Sequence, residues 1–398
     1  MFSRRLRWPN PTNRLSRLLR EKRQGGVPVI DLTESNPTRV GLDYPAETIA
    51  AALGAAAKSL YEPDPRGLPA ARAAIAAGYR ARGLEAAPER ILLTSSTSEA
   101  YSLLFKALAD PGDAVLIPRP SYPLFDYLAL LESVRVVPYP LAYDASWEID
   151  LKALERLAET EGARAVVLVN PNNPTGSALR GRERAAVEDL CAARDLAVIS
   201  DEVFFAYQAP PAAGHEGVSM LAPAEAPDTR RALSFTLDGL SKSCGMPQLK
   251  LGWMVVNGPE RTAMEALERL DLIADTYLST STPVQHAAPR LLEIGAGIRD
   301  AIRRRVAANL AILRQDVPTG SPCRLLESDG GWSAVLQVPA VASEEDLVLW
   351  LLAYDDVLVH PGYFFDFPRE AFLVLSLLPP SETFREGVRR ILERASAA

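Results

Sequence analysis

Residues 165–203 read AVVLVNPNNPTGSALRGRERAAVEDLCAARDLAVISDEV and contain a complete strand–loop–helix–strand unit. An unbroken apolar run at 165–169 passes through a loop rich in Asn and Pro into a helical pattern at 182–194, and a second apolar run follows at 196–199. Strands that are buried on both faces have such continuous apolar runs, and an intervening helix supplies the crossover that parallel strands need. This stretch therefore predicts a parallel sheet covered by helices.

The same alternation of apolar runs and helical patterns extends over residues 45–285. Five further runs bring the expected strands to seven, and they lie at 91–93, 114–117, 134–137, 233–235 and 251–256. Helical patterns with apolar residues three and four positions apart lie at 98–109 and 259–274. We therefore expect an α/β fold whose large domain, residues 45–285, holds a mostly parallel seven-stranded sheet between helices.

After residue 285 the pattern changes to helices and strands without the parallel-sheet repeat. A helical pattern at 284–313, with a break expected near 295–297, precedes an expected strand at 333–338, a helix at 343–353, a strand at 372–377 and a C-terminal helix from Ser381. This order predicts a smaller α+β domain. The apolar run at 27–32 has no partner nearby, so the N-terminal arm, residues 1–44, is expected to join residues 286–398 in a discontinuous small domain.

The composition argues against several classes of function. The 398 residues carry 43 Lys and Arg against 50 Asp and Glu, a net charge of −7, which argues against a nucleic-acid or anionic-membrane surface. Three histidines far apart and three cysteines without a CxxC spacing predict neither a metal site nor a disulfide framework. No apolar stretch approaches the roughly 20 residues that span a bilayer, and the Arg-rich start lacks an apolar signal segment. We expect a cytoplasmic protein without a membrane anchor.

Polar side chains follow four of the expected strands, and parallel sheets bind ligands beyond the carboxyl ends of their strands. Ser95, Ser96 and Thr97 follow the strand at 91–93 and open a helix, where N–H groups and hydroxyls bind anions such as phosphate. A capping box with Glu99 explains the same residues without any ligand. Asn173 lies in a turn that two prolines make rigid, which either fixes its amide at a strand end or is turn chemistry alone.

Asp201 follows the strand at 196–199, and Lys242 follows the strand at 233–235 through a short loop. A carboxylate at a buried strand end needs a cationic partner or caps a helix, and a lysine in an apolar cleft becomes a nucleophilic amine or stays solvated at the surface. Pyridoxal phosphate requires a phosphate site, a fixed amide, a lysine for the Schiff base and a carboxylate that keeps the pyridine nitrogen protonated. The four sites together predict this cofactor.

Over essentially its whole length the sequence resembles the class I/II aminotransferases, which are fold-type I pyridoxal-phosphate-dependent enzymes. The matching motifs are Tyr61 with Gly67-Leu68-Pro69, Pro120-Ser121-Tyr122-Pro123, Asn173-Pro174-Thr175-Gly176, Asp201-Glu202-Val203, Ser241-Lys242 and Pro361-Gly362. The resemblance implies an aminotransferase that moves an amino group from an amino acid, or an amine, to a 2-oxo acid through a Schiff base on Lys242. It also implies a homodimer with shared active sites.

The resemblance further implies a role for each residue of the site. It implies that Lys242 carries the proton of the 1,3-shift, that Asp201 pairs with the pyridinium nitrogen, and that Asn173 bonds the phenolic oxygen of the ring. Tyr122 is implied to stack on the ring, and Tyr61 to reach the phosphate of the cofactor in the neighbouring subunit. The remaining phosphate-binding groups that it implies are hydroxyls, N–H groups and one ammonium: Ser95, Ser96, Thr97, Ser241 and Lys250.

Three positions of the expected cofactor site depart from the family pattern. Phe204 stands where the family has a tyrosine that hydrogen-bonds the cofactor, Lys250 where it has an arginine, and Gly239 where a phosphate-binding serine is common. A lysine lacks the bidentate fork of an arginine. We therefore expect weakened anchoring of the cofactor unless Ser241 or Ser95 compensates.

Val374 stands where the family has the arginine that binds the substrate carboxylate. A valine cannot bind a carboxylate, so another group binds it, or the amino donor lacks an α-carboxylate, or the register of the strand shifts. Asn36 is expected as a neutral helper near the substrate, and the charged candidates are Arg39, Arg369 and His360. Surface exposure or packing explains each of them more readily than ligand binding does. Tyr363 belongs to an aromatic loop at 359–367, which forms an apolar wall of the substrate pocket or packs the small domain.

Two other functions stay open at this point. A different pyridoxal-phosphate reaction on the same fold, by a lyase, decarboxylase, synthase or oxidase, would account for the changes at Phe204 and Val374. A non-catalytic effector-sensing protein would retain the fold, but the chain has no basic DNA-binding segment beyond its short N-terminal arm and it keeps Lys242. An aminotransferase is therefore the leading hypothesis.

Overall fold

The computed structural model describes residues 2–6, 13–57, 60–209, 216–223, 232–278, 280–318 and 320–397. Parts of the expected N-terminal arm, residues 1 and 7–12, therefore lie outside the described residues. The helices are α1 Arg14–Gln24, α2 Ala46–Ala56, α3 Pro69–Arg80, α4 Thr97–Leu108, α5 Leu124–Leu131, α6 Leu151–Thr160, α7 Gly181–Ala193, α8 Leu240–Ser243, α9 Glu260–Tyr277, α10 Thr282–Asp316, α11 Glu344–Tyr354 and α12 Ser381–Ala397. The strands are β1 Ile30–Asp31, β2 Ile91–Thr94, β3 Ala114–Arg119, β4 Arg135–Asp144, β5 Ser146–Ile149, β6 Ala163–Val169, β7 Ala197–Asp201, β8 Ser234–Gly239, β9 Gly252–Asn257, β10 Arg324–Leu325, β11 Ser333–Gln337, β12 Val357–Leu358, β13 His360–Pro361 and β14 Phe372–Ser376.

A large sheet in the order β2-β9-β8-β7-β6-β3-β4-β5 contains all seven expected strands. Strands β8, β7, β6, β3 and β4 run parallel to one another, whereas β9 is antiparallel to both β8 and β2. The prediction of a mostly parallel α/β sheet is confirmed. An eighth strand, β5, was not predicted; it pairs antiparallel with β4 across a tight turn in which Ala145 has a φ of 60°.

Helices cover both faces of this sheet. Residues that alternate along β2 show the two faces, because Ile91 and Leu93 pack with α3 and α10 whereas Leu92 packs with α4 and α9. Strand residues are therefore buried on both sides, which explains the continuous apolar runs in the sequence. The loops at the strand ends remain as the part of the sheet that a ligand can reach.

A second sheet, in the order β10-β11-β14-β13, is antiparallel and packs against α11 and α12. The apolar run at 27–32 forms only the two-residue strand β1, which pairs in parallel with β12 through Ile30 opposite Val357. Helix α1 packs on α11. These contacts join the N-terminal arm to the C-terminal part of the chain, as expected, while the division into domains at residues 45–285 stays a prediction.

Helix α10 runs without interruption from Thr282 to Asp316, so the expected break near residues 295–297 was wrong. Gly295 is explained by a close packing contact of the helix. A Cβ atom on Gly295 would lie 2.5 Å from the Cβ and 2.6 Å from the Sγ of Cys244, two residues after Lys242. The glycine therefore permits a close approach of α10 to the segment that carries the lysine.

We expect the substitution Gly295→Ala to lower the free energy of unfolding by about 1–3 kcal/mol, because the added methyl group overpacks the contact with Cys244. Gly297→Ala is the matched control, since a Cβ there meets nothing within 4 Å. That control should be neutral or stabilising by about 0.5–1 kcal/mol, as alanine favours a helix over glycine. Urea denaturation of both variants measures the difference, and equal effects would contradict the packing argument.

Candidate active site

Three of the predicted site residues lie at one edge of the large sheet, where its parallel strands end. Asp201 closes β7 and Lys242 follows β8, and Asn173 lies in the loop after β6. Strand β2 is antiparallel to β9, and β9 is antiparallel to β8, so β2 ends at this same edge. The topology therefore brings the start of α4 to the edge that carries Lys242 and Asp201.

Lys242 lies in the short helix α8, and its ammonium group lies near two aromatic rings that contact each other. Its Nζ is 5.2 Å from the centre of the Trp332 ring and 5.8 Å from the centre of the Phe204 ring. Burial lowers the pKa of Lys242, and the charge of Asp201 only partly opposes this shift. A larger share of neutral, nucleophilic amine follows at a given pH.

Asp201 is buried, with 8% of its surface exposed. The hydroxyl of Tyr101 donates to its Oδ2 at 3.2 Å, and the backbone N–H of Val203 donates to its Oδ1 at 3.3 Å. Burial raises the pKa of Asp201 to about 6, although both hydrogen bonds and the charge of Lys242 lower it. A desolvated carboxylate of this kind is suited to a cationic partner that enters the site.

The hydroxyl cluster forms the cap of α4, as one of the two interpretations predicted. Ser96 is the N-cap residue and accepts the backbone N–H of Glu99 at 3.1 Å, while Ser95 donates its N–H and its hydroxyl to the Glu99 carboxylate. The phosphate interpretation is compatible with this cap because the first helical amides, beginning at Thr97, have no partner within the helix. Gly252 of β9 permits the close approach, since a Cβ there would lie 3.2 Å from the backbone nitrogen of Thr97.

Asn173 joins the two sheets. The hydroxyl of Ser333, on β11, donates to its Oδ1 at 3.3 Å. In the same loop Asn172 accepts a hydrogen bond from Ser121 at 2.9 Å and donates one to the carbonyl of Pro120 at 2.9 Å. These bonds hold the loop after β6 against the loop after β3, which carries the predicted residue Tyr122.

Four other predicted cofactor residues range from half-buried to exposed. Tyr61 and Tyr122 are exposed to 63% and 45%. Lys250 is exposed and has a φ of 51°, and Ser241 is half-buried. The structure therefore brings Lys242, Asp201 and Asn173 to one sheet edge, and it leaves the side chains of Tyr61, Tyr122 and Lys250 exposed to solvent.

Val374 lies in an apolar environment with 2% of its surface exposed. On β14 it faces Val335 of β11 on one side and His360 of β13 on the other, and it packs in the same cluster as Phe365 and Phe372. Ser376 faces Ser333 in the same register. An apolar wall therefore occupies this part of β14.

The charged candidates near this wall differ in their surroundings. Arg39 is paired with Glu34 at 3.4 Å and its side chain is 71% exposed. Arg369 lies 5.5 Å from the centre of the Phe372 ring. His360 faces Val374, its buried Nδ1 has no hydrogen-bond partner among the described residues, and burial lowers its pKa. Of the three, His360 lies nearest to the position of Val374 in the sheet register.

The two remaining substrate candidates have structural contacts of their own. Asn36 accepts hydrogen bonds from the N–H of Thr38 at 3.0 Å and from its hydroxyl at 2.8 Å, and so caps a short 3₁₀ turn. Tyr363 is 41% exposed, and its backbone N–H donates to Glu344 at 2.9 Å. Their proposed contacts with substrate stay predictions.

Two residues of the site were missed in the sequence. Tyr101 reaches Asp201 from the second turn of α4, and Trp332 packs against Phe204 and Tyr207 beside Lys242. Trp332 is 3% exposed, and its indole nitrogen has no hydrogen-bond partner among the described residues. The glycine pair before Trp332 was the only signal available for it, and Tyr101 gave none.

Comparison with known proteins supports the same interpretation. The family profile described as "Aminotransferase class I and II" matches residues 27–391. Glutamate-pyruvate aminotransferase AlaA of Haemophilus influenzae is 27% identical over 392 residues, which cover 92% of this chain and 90% of that protein. S-alkyl-thiohydroximate lyase SUR1 of Arabidopsis thaliana is 31% identical over 239 residues, covering 58% of this chain and 49% of that protein. The structure of alanine aminotransferase from Pyrococcus furiosus has a TM-score of 0.86 at 25% identity and covers 100% of both chains.

Aminotransferases of this family use pyridoxal phosphate, and the side chains at the sheet edge fit that cofactor. A lysine with a lowered pKa can bond its aldehyde carbon, and a desolvated carboxylate can pair with its ring nitrogen. No helix among the described residues is long and apolar enough to cross a membrane. By the match over residues 27–391, this chain belongs to the class I and II aminotransferases and is a pyridoxal-phosphate-dependent transferase.

Proposed function

We propose that this chain transfers an amino group from an amino acid to a 2-oxo acid, with Lys242 as both the covalent anchor of pyridoxal phosphate and the proton carrier. The observation that supports this most is the pairing of a lysine whose pKa burial lowers with the buried carboxylate of Asp201. A small amino donor such as alanine or glutamate is proposed because relatives are described as alanine and glutamate-pyruvate aminotransferases.

When bound, pyridoxal phosphate supplies an electron sink for the bonds at the α carbon of the substrate. The amine of Lys242, free once the substrate amine has replaced it on the cofactor, would accept a proton from that α carbon and return it to the cofactor carbon on the other side of the nitrogen. Asp201 keeps its negative charge beside the ring nitrogen, and Tyr101 holds the carboxylate in place. Phe204 and Trp332, whose rings contact each other, would keep water away from the lysine on the side where they pack.

The other contacts to the cofactor are proposed from their positions. Asn173, already fixed by Ser333, would donate its amide to the ring oxygen, and Tyr122 would stack on the ring. The start of α4 would bind the phosphate with the residues proposed for it, Ser95, Ser96, Thr97, Ser241 and Lys250. Phe204 offers no hydroxyl, so the cofactor's oxygen would have one partner fewer than is usual in the family.

Tyr61 would reach the phosphate of a second subunit, and we propose a homodimer with shared sites on that basis. The exposure of Tyr61 leaves its side chain available for such a contact. A large domain at 45–285 and a small domain formed by 1–44 and 286–398 would then enclose each site. A cytoplasmic location is proposed from the composition.

A second candidate is a pyridoxal-phosphate lyase. It is favoured by the apolar surroundings of Val374 and by the similarity to a protein described as an S-alkyl-thiohydroximate lyase. A lyase substrate that lacks an α-carboxylate does not need an arginine at position 374.

His360, which faces Val374, is proposed to bind the carboxylate of substrates that have one.

The experiment that separates the two is a half-reaction with purified holoenzyme. Amino donors, with and without an α-carboxylate, are added without any oxo-acid acceptor, and the cofactor absorbance is followed. Transamination predicts a stoichiometric shift to the amine form of the cofactor and one equivalent of carbonyl product per site, an oxo acid from an amino acid and an aldehyde or ketone from an amine. Continuous release of product without an acceptor would instead favour the lyase, and no change with any donor would contradict transamination.

Tyr101→Phe is expected to shift the acidic limb of the pH profile of kcat/KM to higher pH. The Tyr101 hydroxyl lowers the pKa of Asp201, so its removal raises that pKa above about 6. As the pH falls, the carboxylate of the variant is therefore protonated at a higher pH than in the native protein. Tyr139→Phe is the control, because its buried hydroxyl donates to the carbonyl of Val167 instead of a carboxylate. Identical pH profiles for the native protein and Tyr101→Phe would contradict the proposed role.

A further inference from the structure

A cavity of about 340 Å³ lies between the end of α3, the turn after β7 and the middle of α10. Its lining among the described residues is Arg82, Phe205, Ala206, Gln208, Arg299 and Arg303. This volume is at the lower end of the range of about 300–1,000 Å³ that small-molecule sites occupy. None of the six residues belongs to the group proposed to bind pyridoxal phosphate or the substrate, so this is a separate place in the fold.

Three arginines give this cavity its chemical character. Arg299 and Arg303 lie one turn apart on α10 and therefore share a face of the helix, and Arg82 approaches from just beyond the end of α3. None of the described residues in the lining carries a carboxylate. Guanidinium groups converge on the cavity from two elements of the fold.

The contacts of these arginines orient them without neutralising them. Arg303 donates its Nε to the carbonyl of Ala206 at 2.7 Å, and Arg299 donates to the carbonyl of Ser243 at 3.4 Å. Arg82 donates to the carbonyl of Gly78 at 3.3 Å. Among the described residues, carbonyl acceptors use one N–H of each guanidinium, which has five, so these contacts leave most donors of the three side chains for a ligand.

Two carboxylates lie near the three positive charges. Asp300 approaches Arg303 at 3.6 Å, but both side chains are about half exposed, so solvent weakens this pair. Asp238 is buried at 4% exposure and accepts the N–H of Gly239 at 2.7 Å. The charges of Arg82 and Arg299 act to lower the pKa of Asp238, against the effect of burial. Asp238 lies on β8 and is not part of the lining, so the described lining residues keep an excess of positive charge.

We propose that this cavity binds a small dianion that carries a phosphate group. The planar forks of Arg299 and Arg303 on one wall, with Arg82 on another, match the several oxygens that a phosphate presents in different directions. The volume leaves room for a second phosphate or a short organic group beside the first. The site adjoins the lysine segment, since Arg299 donates to the residue that follows Lys242.

The test is isothermal titration calorimetry of the holoenzyme with inorganic pyrophosphate, at constant ionic strength. The holoenzyme is used so that pyridoxal phosphate already fills the other phosphate site, and constant cofactor absorbance verifies this during the titration. The native protein is expected to bind one pyrophosphate per chain. The double variant Arg299→Gln/Arg303→Gln is expected to bind at least about tenfold more weakly, because charge-assisted hydrogen bonds are lost.

Arg304→Gln is the matched control, since it removes the same charge from the next position of the same helix, where the side chain is exposed and outside the cavity. It should leave the Kd unchanged. Arg82→Gln provides a second variant if the double variant is unstable, and it too should weaken binding. Absence of binding to the native protein, equal weakening by Arg304→Gln, or equal affinity for succinate would each overturn the proposal of a phosphate site.

Discussion

Replacing Lys242 with alanine is expected to lower kcat/KM for transamination by at least about 10⁴-fold, the upper range for loss of a positioned acid–base group. The substitution removes both the amine that bonds the cofactor and the base that moves the proton, and the neighbouring side chains cannot supply either. Phe204 and Trp332, which lie 5.8 and 5.2 Å from the ammonium group, have no basic atom to replace it. Asp201, whose charge acts on Lys242, is needed at the ring nitrogen.

Lys152→Ala is a suitable control, because it removes an exposed lysine on α6 and should leave the rate unchanged. A readout independent of the rate is available in borohydride treatment, which fixes the cofactor to its lysine and allows the labelled peptide to be identified. The label should fall on Lys242 in the native protein and be absent in Lys242→Ala. Labelling of Lys250 instead, or retention of activity by Lys242→Ala, would refute the proposed role of Lys242.

The fold was predictable because each central strand is buried on both faces and so leaves an unbroken apolar run in the sequence. Strand β5 lacks this signature: of Ser146–Ile149 only the tryptophan is buried, and the strand exists through its pairing with β4. The expected break in α10 failed for a related reason. A glycine was taken as a helix breaker, whereas Gly295 is required by the close contact with Cys244, which is 51 positions away in the chain.

The site was predictable wherever a functional side chain follows directly on a strand. Asp201 and Lys242 could be located by this rule alone, since the carboxyl ends of parallel strands meet at one edge. Tyr101 could not, because it lies within a helix and its partner Asp201 is 100 positions away. The same applies to Trp332, which comes from the segment before β11. Side chains that reach a site from another element leave no local pattern.

Asp201→Asn should lower kcat/KM by at least about 10²- to 10³-fold, a loss comparable to removing one preorganised electrostatic group from an active site. Asparagine retains the shape and can still accept the Tyr101 hydroxyl, so the loss reports on the charge. Glu202→Gln is the matched control: Glu202 is the next residue and is also buried, but its carboxylate binds Ser200, Ser219 and the N–H of Met220. That control should keep the kcat/KM of the native protein.

Asp201→Asn, which lowers activity, should raise the stability of the cofactor-free protein. Burial raises the pKa of Asp201 from 3.8 to about 6, so the folded state favours the protonated form. Binding of that proton contributes to the free energy of unfolding below pH 3.8, and the contribution is lost as the pH rises to about 6. At about 1.4 kcal/mol per pH unit, the loss approaches 3 kcal/mol. Asp201→Asn removes this loss, so the apoprotein variant should unfold at higher urea than the native apoprotein at pH 8 and show no such gain near pH 4. If Asp201→Asn is less active and also less stable at pH 8, the charged carboxylate stabilises the fold of the apoprotein. The proposal that its charge serves the cofactor at a cost in stability would then be wrong.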